Sequence, residues 1–404
     1  MTSEEGIILV GIETEENYRQ FSTSMEELAS LAKTAGAQVV QTITQKRPAL
    51  DRQSAMGKGK LQELQTAVEA NEAAVVIFNH ELSPRQNQVI SEATGGLVLD
   101  RVQLILDIFA LRARSKEGKL QVELAQLNYL LPRLSGQGAS MSRLGAGIGT
   151  RGPGETKLET DRRHIRNRIT KIKRELQEVA KHRERTRDKR RQGNVLQIGL
   201  IGYTNAGKST VLNRLTAADT YEQDQLFATL DPLTKKWRLP EGLQVTLTDT
   251  VGFIQDLPTQ LIDAFHSTLE ESQAMDFLLH VVDASSTNRA QQELTVLQLM
   301  DELSLQTIPT LTIYNKADKL NEAEFVPTLF PNVLVSAKNF NGKTEIAQAV
   351  KRFLMERWEP YERFLPAAKA GELAQIEKMT LVIQKEFDET QNGYQIRGFQ
   401  PNSD

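Results

Sequence analysis

The sequence predicts an α/β protein of several domains, on three observations. Short apolar runs alternate with helical patterns in the first hundred residues, and the same alternation returns from residue 195. A long, strongly basic helical pattern separates the two regions. The chain has 404 residues, enough for two or three domains with cores of their own. We expect four parts, at residues 1–100, 101–194, 195–358 and 359–404.

The first hundred residues alternate strand and helix signals. Four apolar runs rich in β-branched residues are typical of strands, and stretches of helical spacing separate them. The predicted strands are 7–12, 38–43, 74–78 and 96–99, and the predicted helices are 24–34, 60–69 and 84–93. Because this alternation favours parallel pairing, we expect a small parallel sheet.

Residues 101–194 carry the longest helical patterns of the chain. Residues 102–110 and 122–131 read as one long helical element that ends at Pro132. A second helix covers 162–191, where apolar side chains recur at three- and four-residue spacing. This apolar stripe consists of Ile165, Ile169, Ile172, Leu176 and Val179. We expect an antiparallel helical hairpin with facing apolar stripes.

The second helix of this hairpin is strongly basic. Residues 162–191 hold fourteen Lys or Arg against four Asp or Glu, although the formal net charge of the whole chain is only −3. An excess of ten positive charges is more than a solvated helix face requires, so we favour binding to nucleic-acid phosphates. Acidic phospholipid is the competing interpretation.

The loop between the two helices, residues 135–155, is rich in glycine. Its segment 147–152 fits the dinucleotide pattern G-x-G-x-x-G, but we reject that function because a helix precedes the loop and no strand does. The first twenty loop residues carry only two charges, Arg143 and Arg151. A flexible tip of this kind suits insertion into an RNA crevice, and plain disorder is the alternative.

A glycine-rich turn opens the third part of the chain. Residues 202–210 fit G-x-x-x-x-G-K-[ST], between an apolar strand at 195–201 and a helical pattern. In this context backbone N–H groups and the positive end of the helix surround a phosphate. Lys208 then bridges the β- and γ-phosphates, and the Ser209 hydroxyl binds Mg²⁺. The predicted nucleotide contacts are Gly202, Tyr203, Thr204, Asn205, Ala206, Gly207, Lys208, Ser209 and Thr210.

A second phosphate motif follows a strand that alternates apolar residues with threonine. The predicted strand at 245–249 runs into the pattern D-x-x-G. We expect Asp249 to lie behind Mg²⁺, directly or through water, and the N–H of Gly252 to meet the γ-phosphate. The predicted contacts of this motif are Asp249, Thr250, Val251 and Gly252.

Two further motifs, N-K-x-D at 315–318 and S-A-K at 336–338, each follow an apolar strand and select guanine. The carboxylate of Asp318 can accept from the ring N1–H and the exocyclic amine, and adenine offers neither pairing. Asn315 can reach N7 and brace the phosphate loop, and the N–H of Ala337 can donate to O6. The predicted base contacts are Asn315, Lys316, Asp318, Ser336, Ala337 and Lys338, with the two lysine stems over the ring faces. The ligands are therefore predicted to be GTP and GDP.

The remaining features limit the compartment and the class of protein. The chain has no cysteine, which excludes disulfides and thiolate metal sites. No apolar run approaches 18 residues and the N-terminal segment lacks a basic flank, so we expect a cytoplasmic protein without a transmembrane segment. We also expect a monomer, and association with a membrane surface stays open. After residue 358, a helix at 374–379 and strands at 380–388 and 394–400 predict a small α+β module with a hairpin turn at Asn392-Gly393.

Longer motifs add a resemblance to a known family. They lie at residues 78–84, 100–110, 121–127, 152–159 and 226–232. Together with the nucleotide motifs, they resemble the HflX family of ribosome-associated GTPases over residues 1 to about 358. The resemblance implies a Mg²⁺-dependent GTPase that binds the large ribosomal subunit and its rRNA, not DNA. In characterised relatives such proteins separate the subunits of stalled ribosomes, and the N-terminal domain and glycine-rich loop approach the peptidyl transferase region.

The resemblance also suggests a catalytic switch. By analogy with related GTPases, Thr229 closes on Mg²⁺ and the γ-phosphate, with Thr234 as the alternative. The switch segment adds Phe227, Ala228 and Thr229 to the nucleotide contacts; the predicted catalytic set is Lys208, Thr229 and Gly252, and the predicted metal ligands are Ser209, Thr229 and Asp249. Phe253 stands where many GTPases keep a glutamine that orients water, so we expect intrinsic hydrolysis at about 10⁻³ s⁻¹ or below.

Two functions compete at this point. In the first, GTP binding drives the separation of ribosomal subunits. In the second, the chain is a GTP-gated scaffold or membrane-surface regulator whose basic hairpin binds lipid or protein. We favour the ribosome because the hairpin lacks the Trp or Phe face that is expected of an interfacial membrane anchor.

Overall fold

The computed structural model describes residues 6–141, 153–192, 195–216, 226–227, 230–255, 270–320 and 325–402. The chain forms two compact units, and the boundary between them along the long basic helix lies at Lys181 and His182. The division into four parts stays a prediction.

The first unit contains the predicted parallel sheet. Its strands are β1 (Gly6–Glu13), β2 (Gln38–Lys46), β3 (Val75–Phe78) and β4 (Leu97–Asp100), in the order β2-β1-β3-β4. The interleaved helices are α1 (Phe21–Thr34), α2 (Lys58–Ala70) and α3 (Pro84–Thr94). All neighbouring strands pair in parallel, which confirms the prediction. The apolar side chains of β1 and β3, among them Ile8 and Phe78, fill the core.

The predicted helical element at 102–131 is in fact two helices, α4 (Arg101–Arg112) and α5 (Lys116–Met141). The hydroxyl of Ser115 accepts the N–H of Gly118 at 2.8 Å and so caps the start of α5. The prediction that Pro132 ends the helix is wrong, since Pro132 lies inside α5. Contacts on both sides of the proline offset the lost backbone bond: Tyr129 donates to Asp100 at 2.8 Å, and Arg133 donates to the carbonyl of Leu82 at 2.9 Å.

The basic pattern forms the helix α6 (Pro153–Gln192). Three residues of the predicted stripe on α6 pack against α5 in one apolar cluster, which confirms that the two stripes face each other. The cluster contains Leu120, Leu124 and Leu127 of α5 with Ile169, Ile172 and Leu176 of α6. Beside it, Arg168 of α6 forms an ion pair with Glu123 of α5 at 2.6 Å.

The second unit is built on a six-stranded sheet with the order β10-β9-β8-β5-β7-β6. The strands are β5 (Leu196–Ile201), β6 (Leu233–Arg238), β7 (Gln244–Asp249), β8 (Phe277–Asp283), β9 (Thr310–Asn315) and β10 (Asn332–Leu334). Its helices include α7 (Lys208–Thr216), α8 (Arg289–Glu302) and α9 (Gly342–Met355). Only β6 pairs antiparallel with its neighbour, so the carboxyl ends of the other strands meet at one edge, where α/β sheets bind ligands.

The predicted C-terminal module is part of this second unit. It consists of β11 (Glu359–Pro366), α10 (Ala370–Met379), β12 (Leu381–Asp388) and β13 (Gly393–Gln400). The predicted hairpin is confirmed, with Asn392 at φ 50° in its turn. Strand β11 was missed because Pro360 and Pro366 argue against a strand, but an edge strand tolerates them. Leu381 of β12 is buried in the core below the six-stranded sheet.

None of the described helices is both long and apolar enough to cross a lipid bilayer.

Candidate nucleotide-binding site

The phosphate-binding motif forms a tight loop between β5 and α7. Gly202 has a φ of 149°, Asn205 of 62° and Gly207 of 100°. A Cβ on Gly202 would stand 2.2 Å from the carbonyl oxygen of Val281, and one on Gly207 would stand 2.3 Å from Nδ2 of Asn315. Both positions therefore favour glycine for the backbone angle, and each lies close to a neighbouring group, a strand carbonyl at Gly202 and a side-chain amide at Gly207.

Lys208 opens α7 with its side chain buried beneath this loop. Its Nζ donates to the carbonyl oxygens of Gly202 at 2.9 Å and Tyr203 at 3.0 Å. Burial lowers the pKa of Lys208 to about 8, although the nearby carboxylate of Asp249 raises it. The ammonium group is thus held at the loop with little solvent to compete for it, as an anion site requires.

A buried histidine lies close to Lys208. His280 is in the central strand β8, and burial, followed by the charge of Lys208, lowers its pKa to about 4. His280 is therefore neutral near pH 7 and leaves Lys208 as the positive charge at the loop.

Ser209 and Asp249 come together as predicted for a metal site. The Ser209 hydroxyl donates to Oδ2 of Asp249 at 2.8 Å, and Asp249 is buried at the end of β7. A hydroxyl and a carboxylate are both oxygen donors, which suit Mg²⁺, so this pair fits the metal that the sequence implies.

The predicted third metal ligand, Thr229, lies outside the described residues, as does Ala228. Phe227 is described and buried, with a φ of 55°. The alternative switch residue, Thr234, lies in β6, where its hydroxyl is 3.0 Å from that of Thr248 on β7. The side chain of Thr234 therefore contacts the neighbouring strand of the sheet.

The D-x-x-G segment lies directly against the phosphate loop. The N–H of Thr204 donates to the carbonyl of Phe253 at 2.7 Å, and the N–H of Phe253 donates to the carbonyl of Gly202 at 3.1 Å. A Cβ on Gly252 would stand 3.0 Å from Nζ of Lys208. Gly252 is thus placed beside the cation that is predicted to bind the γ-phosphate.

The residues between Asp249 and Gly252 are also held at this edge. The hydroxyl of Thr250 donates to the carbonyl of Leu200 in β5 at 2.7 Å, and Val251 is buried. The ring of Phe253 is buried too, so it contributes packing to the segment.

The side chain of Tyr203 makes a contact that the sequence did not reveal. Its hydroxyl accepts the N–H of Gln255 at 2.9 Å. The motif gives no indication of this contact because position 203 is variable in the pattern.

Asn315 connects the two halves of the predicted site. Its Nδ2 donates to the carbonyl of Ala206 in the phosphate loop at 3.0 Å, as expected of a residue that braces this loop. Its Oδ1 accepts the N–H of Ala337 at 3.0 Å. The N–H that was predicted to meet guanine O6 is therefore directed at Asn315 in this structure.

The residues predicted to recognise the base lie beside Asn315. Asp318 is exposed, and its carboxylate accepts a hydrogen bond from the Ser336 hydroxyl, which holds the pKa of Asp318 below its usual range. Lys316 has a left-handed backbone with φ 65°, and its Nζ lies 2.7 Å from Oδ2 of Asp283. Asp283 was missed because no motif includes it, although it stands at the carboxyl end of β8.

A second residue that the sequence did not single out is Arg214 of α7. Its Nε donates to the carbonyl of Ala337 at 3.0 Å, and its guanidinium also donates to the carbonyl of Lys338. An arginine on an exposed helix face gives no signal in a single sequence, so only the folded arrangement reveals this contact.

Comparison with known proteins agrees with this arrangement. Three family descriptions match consecutive parts of the chain: "GTP-binding GTPase N-terminal" over residues 22–110, "GTP-binding GTPase Middle Region" over 112–190 and "50S ribosome-binding GTPase" over 197–316. The GTPase HflX of Alkalihalophilus pseudofirmus is 52% identical over 98% of this chain and 93% of its own length. The chain belongs to the HflX family of GTPases. It is a GTP-hydrolysing enzyme with the predicted α/β P-loop fold.

Other HflX proteins match over most of the chain as well. The GTPase HflX of Caldanaerobacter subterraneus is 48% identical over 91% of this chain and 85% of its own length, and that of Escherichia coli is 46% identical over 74% and 70%. Among solved structures, the crystal structure of SsGBP in complex with GDP has a TM-score of 0.50 and 25% identity. It covers 87% of this chain and 99% of the other.

Proposed function

We propose that this HflX GTPase binds the large ribosomal subunit through its rRNA and uses GTP to separate or rescue stalled ribosomes. GTP and water become GDP and phosphate, and the change of nucleotide ends the association. The proposed setting is the cytoplasm, with the protein acting as a monomer. The description of the matching G-domain family as ribosome-binding supports this partner.

The observation that carries the proposal is an exposed basic face on α6. At 100° per residue, Arg163, Arg166, Lys173 and Arg174 lie within roughly 100° of one another around the helix. All four are exposed, and none forms a salt bridge with an acidic residue in the described part of the chain. The apolar stripe that packs on α5 lies on a different side. Unpaired exposed cations of this kind fit a row of phosphates.

We propose the following roles within the nucleotide site. Lys208 binds the β- and γ-phosphates, and the loop N–H groups of residues 202–207 surround them. Asp318 selects guanine through its carboxylate, which the Ser336 hydroxyl orients. Ser209 and Asp249 hold Mg²⁺, which supplies charge neutralisation on the phosphates when it is bound.

Hydrolysis in this site depends on positioning by the protein. The hydrogen bonds of Phe253 with the phosphate loop hold Gly252 beside Lys208. The N–H of Gly252 can then donate to the γ-phosphate when GTP is bound. The Phe253 ring has no polar atom to orient the attacking water. We therefore propose that a surface of the ribosome completes the catalytic arrangement, which makes hydrolysis wait for the partner.

Sedimentation through sucrose gradients tests the proposal. The protein is mixed with ribosomes and GDP, GTP or a non-hydrolysable GTP analogue. We expect co-sedimentation with the large subunit and free small subunits in the presence of the analogue, and neither with GDP. A protein that leaves ribosomes intact and stays at the top of the gradient with every nucleotide contradicts the proposal. In a parallel measurement, large subunits should raise GTP turnover and anionic liposomes should not, because the scaffold alternative predicts the reverse.

A further inference from the structure

The S-A-K segment that follows β10 is held from several sides. Asn315 accepts the N–H of Ala337 at 3.0 Å, and the Ser336 hydroxyl is bonded to Asp318. Gly342, at the start of α9, approaches so closely that a Cβ there would stand 2.2 Å from the carbonyl oxygen of Ser336. These contacts come from the N-K-x-D motif and from the first residue of α9.

Arg214 supplies a further contact, and it comes from the helix that follows the phosphate loop. Its guanidinium donates to two successive carbonyls of the segment, those of Ala337 and Lys338. Two donors in the fixed fork of a guanidinium define the direction of both carbonyls, which one flexible ammonium group does not.

This arrangement determines where the N–H groups of the segment point. The peptide unit between Ala337 and Lys338 is trans, so its N–H, which belongs to Lys338, points away from the carbonyl that Arg214 holds. The N–H of Ala337 already points at Asn315 of the N-K-x-D motif. The carbonyls of Ala337 and Lys338 are thus held toward α7, and the N–H of Lys338 points to the opposite side, away from α7.

We propose that Arg214 is a positioning residue for guanine specificity: by holding the carbonyls of Ala337 and Lys338, it directs the backbone N–H of Lys338 at the O6 atom of the base. The inference rests on the proposed nucleotide site. It assigns recognition of O6 to a backbone donor that a side chain on α7 orients, separately from recognition of the amine and N1–H by Asp318.

The test compares three triphosphates that differ at the base edge. GTP carries O6, N1–H and the exocyclic amine, inosine triphosphate carries O6 and N1–H without the amine, and 2-aminopurine riboside triphosphate carries the amine without O6 or N1–H. Affinities of the full chain are measured by displacement of a fluorescent GDP analogue. For Arg214→Met, the affinities for GTP and inosine triphosphate should fall by the same factor, about threefold to tenfold, which is the scale of one or two lost hydrogen bonds. The affinity for 2-aminopurine riboside triphosphate should change by less than twofold.

Two further variants complete the experiment. Arg214→Lys keeps the charge and has its donors on a single nitrogen, without the fork of the guanidinium, so its losses should be intermediate. Arg357→Met is the matched control, because Arg357 also donates to a backbone carbonyl, that of Phe353, and is remote in sequence from the base motifs. It should leave all three affinities unchanged.

Either of two outcomes overturns the inference. Equal loss of all three nucleotides in Arg214→Met would mean that the arginine only supports the fold, and no loss would mean that it does not position the segment. Failure of the proposed site itself is distinguishable, because Asp318→Asn would then leave GTP affinity intact. If Asp318→Asn weakens GTP and Arg214→Met does not, only the inference about Arg214 fails.

Discussion

The carbonyl of Phe253 accepts the backbone N–H of Thr204 at 2.7 Å, which ties the D-x-x-G segment to the phosphate loop. The N–H of the same phenylalanine donates to Gly202, and its ring is buried. Position 253 thus acts through its backbone and its packing, where many GTPases use a glutamine side chain. The phosphate loop therefore holds the D-x-x-G segment in place, although the segment lacks the glutamine that orients water in many GTPases.

Phe253→Leu should keep partner-stimulated hydrolysis within about tenfold of the unchanged protein, because leucine preserves both the backbone bonds and most of the buried packing. Phe253→Ala should instead lower stability by about 3–5 kcal/mol, the usual cost of removing a buried aromatic ring. Single-turnover GTP hydrolysis with saturating large subunits, together with thermal unfolding, measures both effects. Loss of hydrolysis in the leucine variant at normal GTP affinity would assign the ring a direct catalytic role.

Nucleotide affinity should decline as pH rises above 8. Burial lowers the pKa of Lys208 to about 8, so the nucleotide-free protein loses this proton there and must regain it to bind a polyphosphate. The affinity should fall by up to about tenfold per pH unit above this pKa and be flat below it. The nearby His280, with a pKa of about 4, does not titrate in this range.

Titration with fluorescent GDP between pH 7 and 9 measures this dependence. Lys208→Arg is the control, because its guanidinium stays protonated: its affinity should be weaker but independent of pH. The same pH dependence in Lys208→Arg as in the unchanged protein would locate the titrating group elsewhere.

Asp318→Asn should lower GTP affinity by at least about tenfold, the scale of a lost charge-assisted hydrogen bond, and introduce binding of xanthosine triphosphate. The carboxamide presents an N–H where the carboxylate accepted one, which suits the xanthine carbonyl. Because Asp318 is exposed, the substitution should leave the unfolding temperature nearly unchanged. Equal GTP affinity of the two proteins would remove Asp318 from the base site.

Reversal of charge on the basic face of α6 should weaken ribosome binding in a salt-dependent manner. Each neutralised phosphate releases counterions, so the variant with Arg163, Arg166, Lys173 and Arg174 all changed to Glu should flatten the log–log salt dependence of affinity by about 3 units. GTP affinity should not change, because these residues belong to the other compact unit.

The matched control for this variant reverses four exposed cations away from α6. Suitable positions are Arg85, Lys343, Arg352 and Lys378. This variant has the same net charge and should keep the original salt slope. A wild-type slope in the α6 variant would show that the charge run is only a solvated helix face.

The sequence by itself determined the class of fold and the chemistry of the nucleotide. Gly202 and Gly207 are favoured by local backbone angles and close approach, and the strands around them are short apolar runs, so their positions are visible in the residue pattern. The parallel sheet of the first unit and the facing stripes of α5 and α6 were predictable for the same reason: periodicity records which face is buried.

Only the tertiary structure decided the features that depend on distant contacts. Helix α5 continues through Pro132 because Tyr129 is anchored on Asp100 at the end of β4 and Arg133 on the carbonyl of Leu82. Strand β11 forms because it pairs at the edge with β13. Arg214, Asp283 and the hydroxyl of Tyr203 became visible only when the fold brought them to the loop segments they hold. Their partners are backbone atoms or residues far along the chain. The packing of whole helices and strands sets such contacts, so a local sequence pattern does not predict them.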